Sequence, residues 1–159
     1  GVLEQSSMLA MISGQQHQGR NWHRFCERIV DLLSKGLPVV VRTHKPKDEP
    51  HLQQLCDGIL KAQDLDLARE YPFMRWSSSL TKPDWSSESH NLWIELKYAR
   101  KQYGLRKITE DIAADITKYG DNVRRTLFLI YDPDHLVTDE EAFAAPIHAR
   151  STMRSAFIR

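Results

Sequence analysis

The stretch Asn91 to Tyr98 constrains this chain most. At a period of two, Leu92, Ile94, Leu96 and Tyr98 point one way and Trp93, Glu95 and Lys97 the other. Such a strand buries one face in a core and sets two opposite charges together on the other. Around it the apolar period becomes helical. Trp22, Phe25, Cys26, Ile29, Val30 and Leu33 recur at three and four, predicting an amphipathic helix that Gly36 ends. Leu37 to Val41 then reads as a short β-branched strand. Leu52, Leu55, Cys56, Ile59 and Leu60 mark a second helix, capped by Asp48 or Glu49 with Pro50 in its first turn. Leu105, Ile108, Ile112, Ile116 and Tyr119 mark a third, ending at Gly120. Ala68 to Phe73 and Arg75 to Leu80 read as strands around Pro72, and Ser86 to His90 as a polar turn. Thr126 to Tyr131 is a strand closed by Asp132, Pro133 and Asp134, and Thr152 to Ile158 is a last strand. This succession predicts an α/β sandwich around a mixed sheet, against a helical bundle or a β-barrel.

The 159 residues suit one core, with 41% hydrophobic and 27% charged residues close to globular usage. The 22 Lys and Arg against 21 Asp and Glu exclude a generally basic nucleic-acid coat, so affinity for phosphate must be local. No apolar run approaches the roughly 20 residues of a membrane span, and the Ser- and Gln-rich residues 1 to 18 lack the shape of a signal peptide. The expectation is a cytoplasmic protein with no membrane contact and a flexible or weakly helical lead-in. The opening Gly1 suits either a tag remnant or a domain cut from a longer protein. Cys26 and Cys56 lie on apolar helix faces, where a free cysteine behaves as a small hydrophobe. No Gly-rich phosphate loop and no Gly-x-Ser-x-Gly elbow occurs, which argues against nucleotide-driven motors and serine hydrolases.

The chemistry concentrates between residues 82 and 107. Pro83-Asp84 is followed, after ten residues, by Glu95-Leu96-Lys97. Ten residues let one strand end, turn and return antiparallel, bringing Asp84 beside Glu95. Two adjacent carboxylates repel unless a cation lies between them, and hard oxygen ligands suit Mg²⁺ or Mn²⁺. Magnesium takes one or two protein carboxylates and leaves room for a phosphodiester. Lys97 projects from the same side as Glu95, placed to orient or deprotonate an attacking water and to counter charge on the phosphate. From Lys97 to Lys107 lie five basic residues (Lys97, Arg100, Lys101, Arg106 and Lys107) and no acid, an electropositive edge for a phosphate backbone.

This arrangement resembles the PD-(D/E)XK phosphodiesterase superfamily, and over residues 48 to 135 it is similar to bacterial defence-associated branches. Trp93 to Arg100, the helix Ile108 to Tyr119 and the strand ending Tyr131-Asp132-Pro133 contribute to the likeness, and Glu49, four residues before Gln53, matches a helix-borne acid. The resemblance implies a restriction-endonuclease-like sandwich with a mixed central sheet flanked by helices. Residues 1 to 36 form an added lead-in and helix, a candidate recognition or dimerisation element, and residues 37 to 159 form the nuclease domain. It further implies Asp84 and Glu95 as metal ligands with the Leu96 carbonyl as a third, Lys97 as the catalytic lysine and Glu49 as an accessory acid. Arg100, Lys101, Arg106 and Lys107 would contact nucleic acid, DNA in preference to RNA. The implied protein is a metal-dependent endonuclease, as a homodimer or as the effector domain of a larger defence protein. The competing reading is a non-catalytic module of the same fold that binds nucleic acid or a protein.

Several residues also have simpler explanations. Glu-x-Lys pairs are frequent on sheets, and Glu49 suits a helix N-terminus through the macrodipole alone. Trp76, Trp85 and Trp93 read as packing residues before base-stacking platforms. Asp111 and Asp115, near Lys118, read as a solvated helix face with local ion pairing.

Overall fold

In the computed structural model, residues 2–70, 82–119 and 124–159 are described, with side chains from residue 21 onward. Helix α1 (Val2–Val41) takes in the lead-in, passes through Gly36 and carries Pro38 near its end. The stop expected at Gly36 and the strand expected over Leu37 to Val41 are therefore corrected, and the boundary drawn between residues 36 and 37 falls inside this helix. The cause is tertiary. Ile29, Leu33 and Leu37 lie one turn apart and are fully buried, so the β-branched tail continues a helical core stripe and its local strand preference yields. Gly36 serves close approach, since a Cβ there would meet Ile59 Cγ2 at 3.0 Å.

Helix α2 (Glu49–Lys61) starts on an Asp48 cap that accepts from the His51 amide at 2.9 Å, with Pro50 in its first turn. Strand β1 (Ala68–Arg69) holds the first two residues of the strand expected to Phe73; the rest of that stretch, and the strand expected over Arg75 to Leu80, fall outside the described residues. Strand β2 (Trp85–Ser87) occupies the start of the expected polar turn. The turn itself closes with the Asn91 amide on the Glu88 carbonyl at 3.1 Å, and Asn91 takes the left-handed φ of 48° that its short polar side chain tolerates. Strand β3 (Leu92–Tyr98), helix α3 (Leu105–Tyr119), strand β4 (Arg125–Tyr131) and strand β5 (Met153–Ile158) lie where the sequence periods put them. Helix α4 (Glu140–His148) was not anticipated, although Asp139 caps it and Glu140 and Glu141 fill its first turn.

Among the described residues the strands form one sheet in the order β1-β2-β3-β4-β5. The β1–β2 and β2–β3 pairs are antiparallel, with Trp85 opposite Ile94; the β3–β4 and β4–β5 pairs are parallel, with Glu95 opposite Phe128. The sheet is mixed, as expected. Alternation along β3 and β4 feeds two cores. Leu92, Ile94, Leu96, Leu127 and Leu129 pack with Trp22, Ile29, Leu33, Leu52 and Cys56 of α1 and α2. Phe128 and Ile130 pack with Ile108, Ile112, Ile116 and Ile147 of α3 and α4. Helices thus cover both faces, and β3 is buried along nearly its whole length. Among the described residues no helix is long and apolar enough to cross a membrane.

Candidate active site

The site lies where β2 begins and β3 runs on past it. Asp84, just before β2, donates its amide to the Ile94 carbonyl at 3.0 Å. One residue further, among the described residues, the ladder has no partner strand, and the Asp84 carboxylate takes its place: Oδ2 accepts from the Leu96 amide at 2.8 Å. Glu49, at the start of α2, meets the next donor on that side of β3, accepting from the Tyr98 amide at 3.3 Å. Ladder alternation points the Leu96 carbonyl the same way as its amide, toward the gap between the two acids. Gln53, one turn after Glu49 on α2, donates to Asp84 Oδ1 at 2.8 Å.

Glu95 and Lys97 project toward α3. The Tyr119 hydroxyl donates to Glu95 Oε1 at 2.6 Å. Lys97 Nζ lies 4.0 Å from Glu95 Oε2 and 2.7 Å from Asp115 Oδ2. The buried Asp84 and Glu95 carboxyl groups also act on one another electrostatically, each charge disfavouring the other. The structure thus brings Glu49, Asp84, Glu95 and Lys97 into one cluster.

Its electrostatics follow from burial. Burial raises the Glu95 carboxyl to about 8, with the neighbouring Asp84 charge adding to the shift and the Tyr119 hydroxyl opposing it. Asp84 is raised by burial, against the Leu96 amide and Lys97. Glu49 is raised by burial, with Lys97 opposing. For Lys97 burial pulls downward, but the ion pair with Asp115, helped by the Glu95 and Glu49 charges, outweighs it and leaves the ammonium above its ordinary value. Among the described residues no three His, Cys, Asp or Glu side chains group closely enough to hold a metal by themselves. A cation here would use two carboxylates and complete its shell with carbonyl, water and phosphate oxygens.

The basic residues are more dispersed. Arg100 donates from Nη1 to the Lys47 carbonyl at 2.8 Å, and its guanidinium lies over the rings of Tyr98 and Tyr103. Lys101 is exposed beyond the end of β3. Arg106 and Lys107, in the first turn of α3, pair with Glu110 at 3.2 Å and Asp111 at 3.3 Å, so acids one turn along balance part of the expected charge. Trp85 is core, its Nε1 donating to Asp57 Oδ1 at 3.2 Å, and Trp93 packs edge-on against Tyr119; Trp76 lies outside the described residues. Cys26 and Cys56 are buried, which pushes both thiols up to about 12 and leaves them unreactive.

Sequence reasoning missed three polar neighbours of the site: Gln53, Asp115 and Tyr119. Asp115 is corrected from a solvated to a buried residue. The signal was present, because Ile108, Ile112, Asp115 and Tyr119 follow the four-and-three spacing of one helix face, which puts a carboxylate on the core stripe.

A mixed sheet with helices on both faces, carrying a Pro-Asp turn beside a Glu-x-Lys strand, is a restriction-endonuclease-like α/β domain. Over residues 21–158 the sequence matches the family model described as REase_DpnII-MboI. The chain therefore belongs to this restriction-endonuclease family, and the match takes in α1 from residue 21, a helix with no counterpart in the resemblance read from sequence. No curated protein and no solved structure matches the chain.

Proposed function

We propose that the chain is a divalent-metal-dependent endonuclease that hydrolyses phosphodiester bonds in DNA, with Mg²⁺ or Mn²⁺ held by Asp84, Glu95 and the Leu96 carbonyl. The observation that carries this reading is the convergence where β2 begins of Asp84, held by the Leu96 amide at 2.8 Å, and Glu49, held by the Tyr98 amide at 3.3 Å, with the buried pair Glu95 and Lys97 of β3, 4.0 Å apart. Like charges forced together are relieved either by a proton or by a cation, and the oxygen donors fit a hard cation. When bound, the ion supplies a Lewis acid and lowers the pKa of a coordinated water.

The remaining chemistry belongs to side chains. Lys97, held as an ammonium, neutralises charge developing on the phosphoryl oxygens; with its pKa above the ordinary value it is a poor proton acceptor, which favours this role over deprotonating water. Glu49 stands beside it as an accessory acid, and its raised pKa makes it a better proton acceptor than an exposed glutamate. Arg100, Lys101, Arg106 and Lys107 would meet backbone phosphates, since exposed helix ion pairs such as those of Arg106 and Lys107 are weak and exchange readily for phosphate. Membership of a restriction-endonuclease family supports DNA over RNA. Dimeric assembly, a place in a larger defence protein and a cytoplasmic setting extend the same reading.

The test is a panel of plasmid, linear duplex, single-stranded DNA and RNA with Mg²⁺, Mn²⁺ or chelator, run with the parent protein, D84N and K97M. DNA cleavage by the parent, lost in chelator and reduced at least 100-fold in both variants, is expected. Variants that cut as fast as the parent would refute the residue assignment. Salt-sensitive DNA binding by the parent with no cutting under any metal would point to the non-catalytic module.

A further inference from the structure

We infer that Asp115 and Tyr119 of α3 are positioning residues that fix Lys97 and Glu95 in the working arrangement of the site; this rests on the endonuclease reading. The two residues lie four apart, one helical turn, and each reaches one of the two β3 side chains that point toward α3: Asp115 Oδ2 to Lys97 Nζ at 2.7 Å, the Tyr119 hydroxyl to Glu95 Oε1 at 2.6 Å. All four are buried, so these contacts form in a low-dielectric setting where a misplaced charge is costly.

The geometry divides their roles. Tyr119 occupies Oε1 of Glu95 and leaves Oε2, the oxygen on the Lys97 side, for a cation. Fixing one oxygen limits rotation of the carboxylate, and partners of this kind around metal-binding side chains typically change metal affinity 10–100-fold. Asp115 holds the ammonium more closely than Glu95 does, 2.7 Å against 4.0 Å, so the lysine stands beside Glu95 without closing a tight ion pair on the ligand oxygen. A lysine freed from Asp115 would leave that place beside Glu95, a defect in positioning that excess cation does not repair. A purely structural role, in which Asp115 only neutralises a buried lysine and Tyr119 only fills the core, predicts changes in stability alone.

Y119F, D115N and D115E separate these cases, with melting curves and calorimetric Mn²⁺ binding beside cleavage. Y119F keeps the ring and is expected to fold as the parent does, to bind Mn²⁺ about tenfold more weakly and to recover most of its rate at saturating Mn²⁺. D115N is expected to lose about 10–100-fold in maximal rate at saturating Mn²⁺ with little change in KM for DNA, and D115E to restore part of that loss. If D115N does not fold, Y119F and D115E decide the matter. Variants that melt cooperatively and match the parent in both Mn²⁺ affinity and maximal rate would overturn the inference while leaving the endonuclease reading intact. A parent that shows no metal-dependent cutting would overturn both.

Discussion

Glu95 shows how burial and charge act together at one residue. Its carboxyl is raised from 4.5 to about 8 by burial and by Asp84, so between those values the folded protein holds a proton that the unfolded chain has released. Where the native state binds more protons, stability falls as pH rises. Without metal, therefore, this group favours the fold fully below about pH 4.5 in relative terms, and that advantage is lost progressively toward pH 8. Glu95→Gln keeps an oxygen for the Tyr119 hydroxyl and removes the titration. In chelator it should stabilise the protein at pH 8 by on the order of 2 kcal/mol and have little effect near pH 4.5, as urea unfolding at the two pH values would show. The same shift links cation and proton: Mn²⁺ binding at pH 7 should expel close to one proton, read by calorimetry in buffers of different ionisation enthalpy. Glu95 and Lys97 were legible as site candidates because the period of a strand fixes which side chains share a face. Asp115 was legible as a buried position, but two aspartates near Lys118 satisfied a local ion-pair reading first, and its partner lies on another element.

At the scale of elements, α2 couples fold to site most directly. Asp48 caps it through the His51 amide, and Glu49 and Gln53 reach β3 and Asp84 from its first two turns. D48A should cost about 1 kcal/mol in denaturant unfolding. The crossing of α1 over α2 depends on Gly36, where a Cβ would lie 3.0 Å from Ile59, so Gly36→Val should destabilise by about 1–3 kcal/mol. Gly36 was read as a stop because a local rule links glycine to helix ends, and the need for close approach to Ile59 is a property of the pair of helices. The antiparallel return into β3 was legible, but the place of β2 was not: at three residues it carries too little alternation to declare itself, and its register comes from pairing with β3. α4 announced itself only through Asp139 and two glutamates, with a short apolar stripe behind them.

For the whole molecule, the sandwich was legible from the order of periods, because helical stripes flank the strands and the continuous apolar run of β4 demands a layer on each face. The sheet order and its change from antiparallel to parallel depend on pairings that no single segment encodes. A cation bound to the native site and not to the unfolded chain should raise stability across the molecule by about 2.7 kcal/mol at 100 times its dissociation constant. Thermal melts with and without Mn²⁺ should show that gain in the parent and little of it in D84N.

The carboxylates of Asp84 and Glu49 accept the Leu96 and Tyr98 amides where β3 outruns β2. Among the described residues they are the acceptors that meet these two donors, so they also shield this stretch of strand from a passing chain. Removing the shield with alanine at Asp84 should make the protein self-associate on concentration, visible by light scattering, whereas asparagine, whose carbonyl still accepts, should stay dispersed. Such shielding needs only the two acceptors and does not depend on whether the site holds a cation.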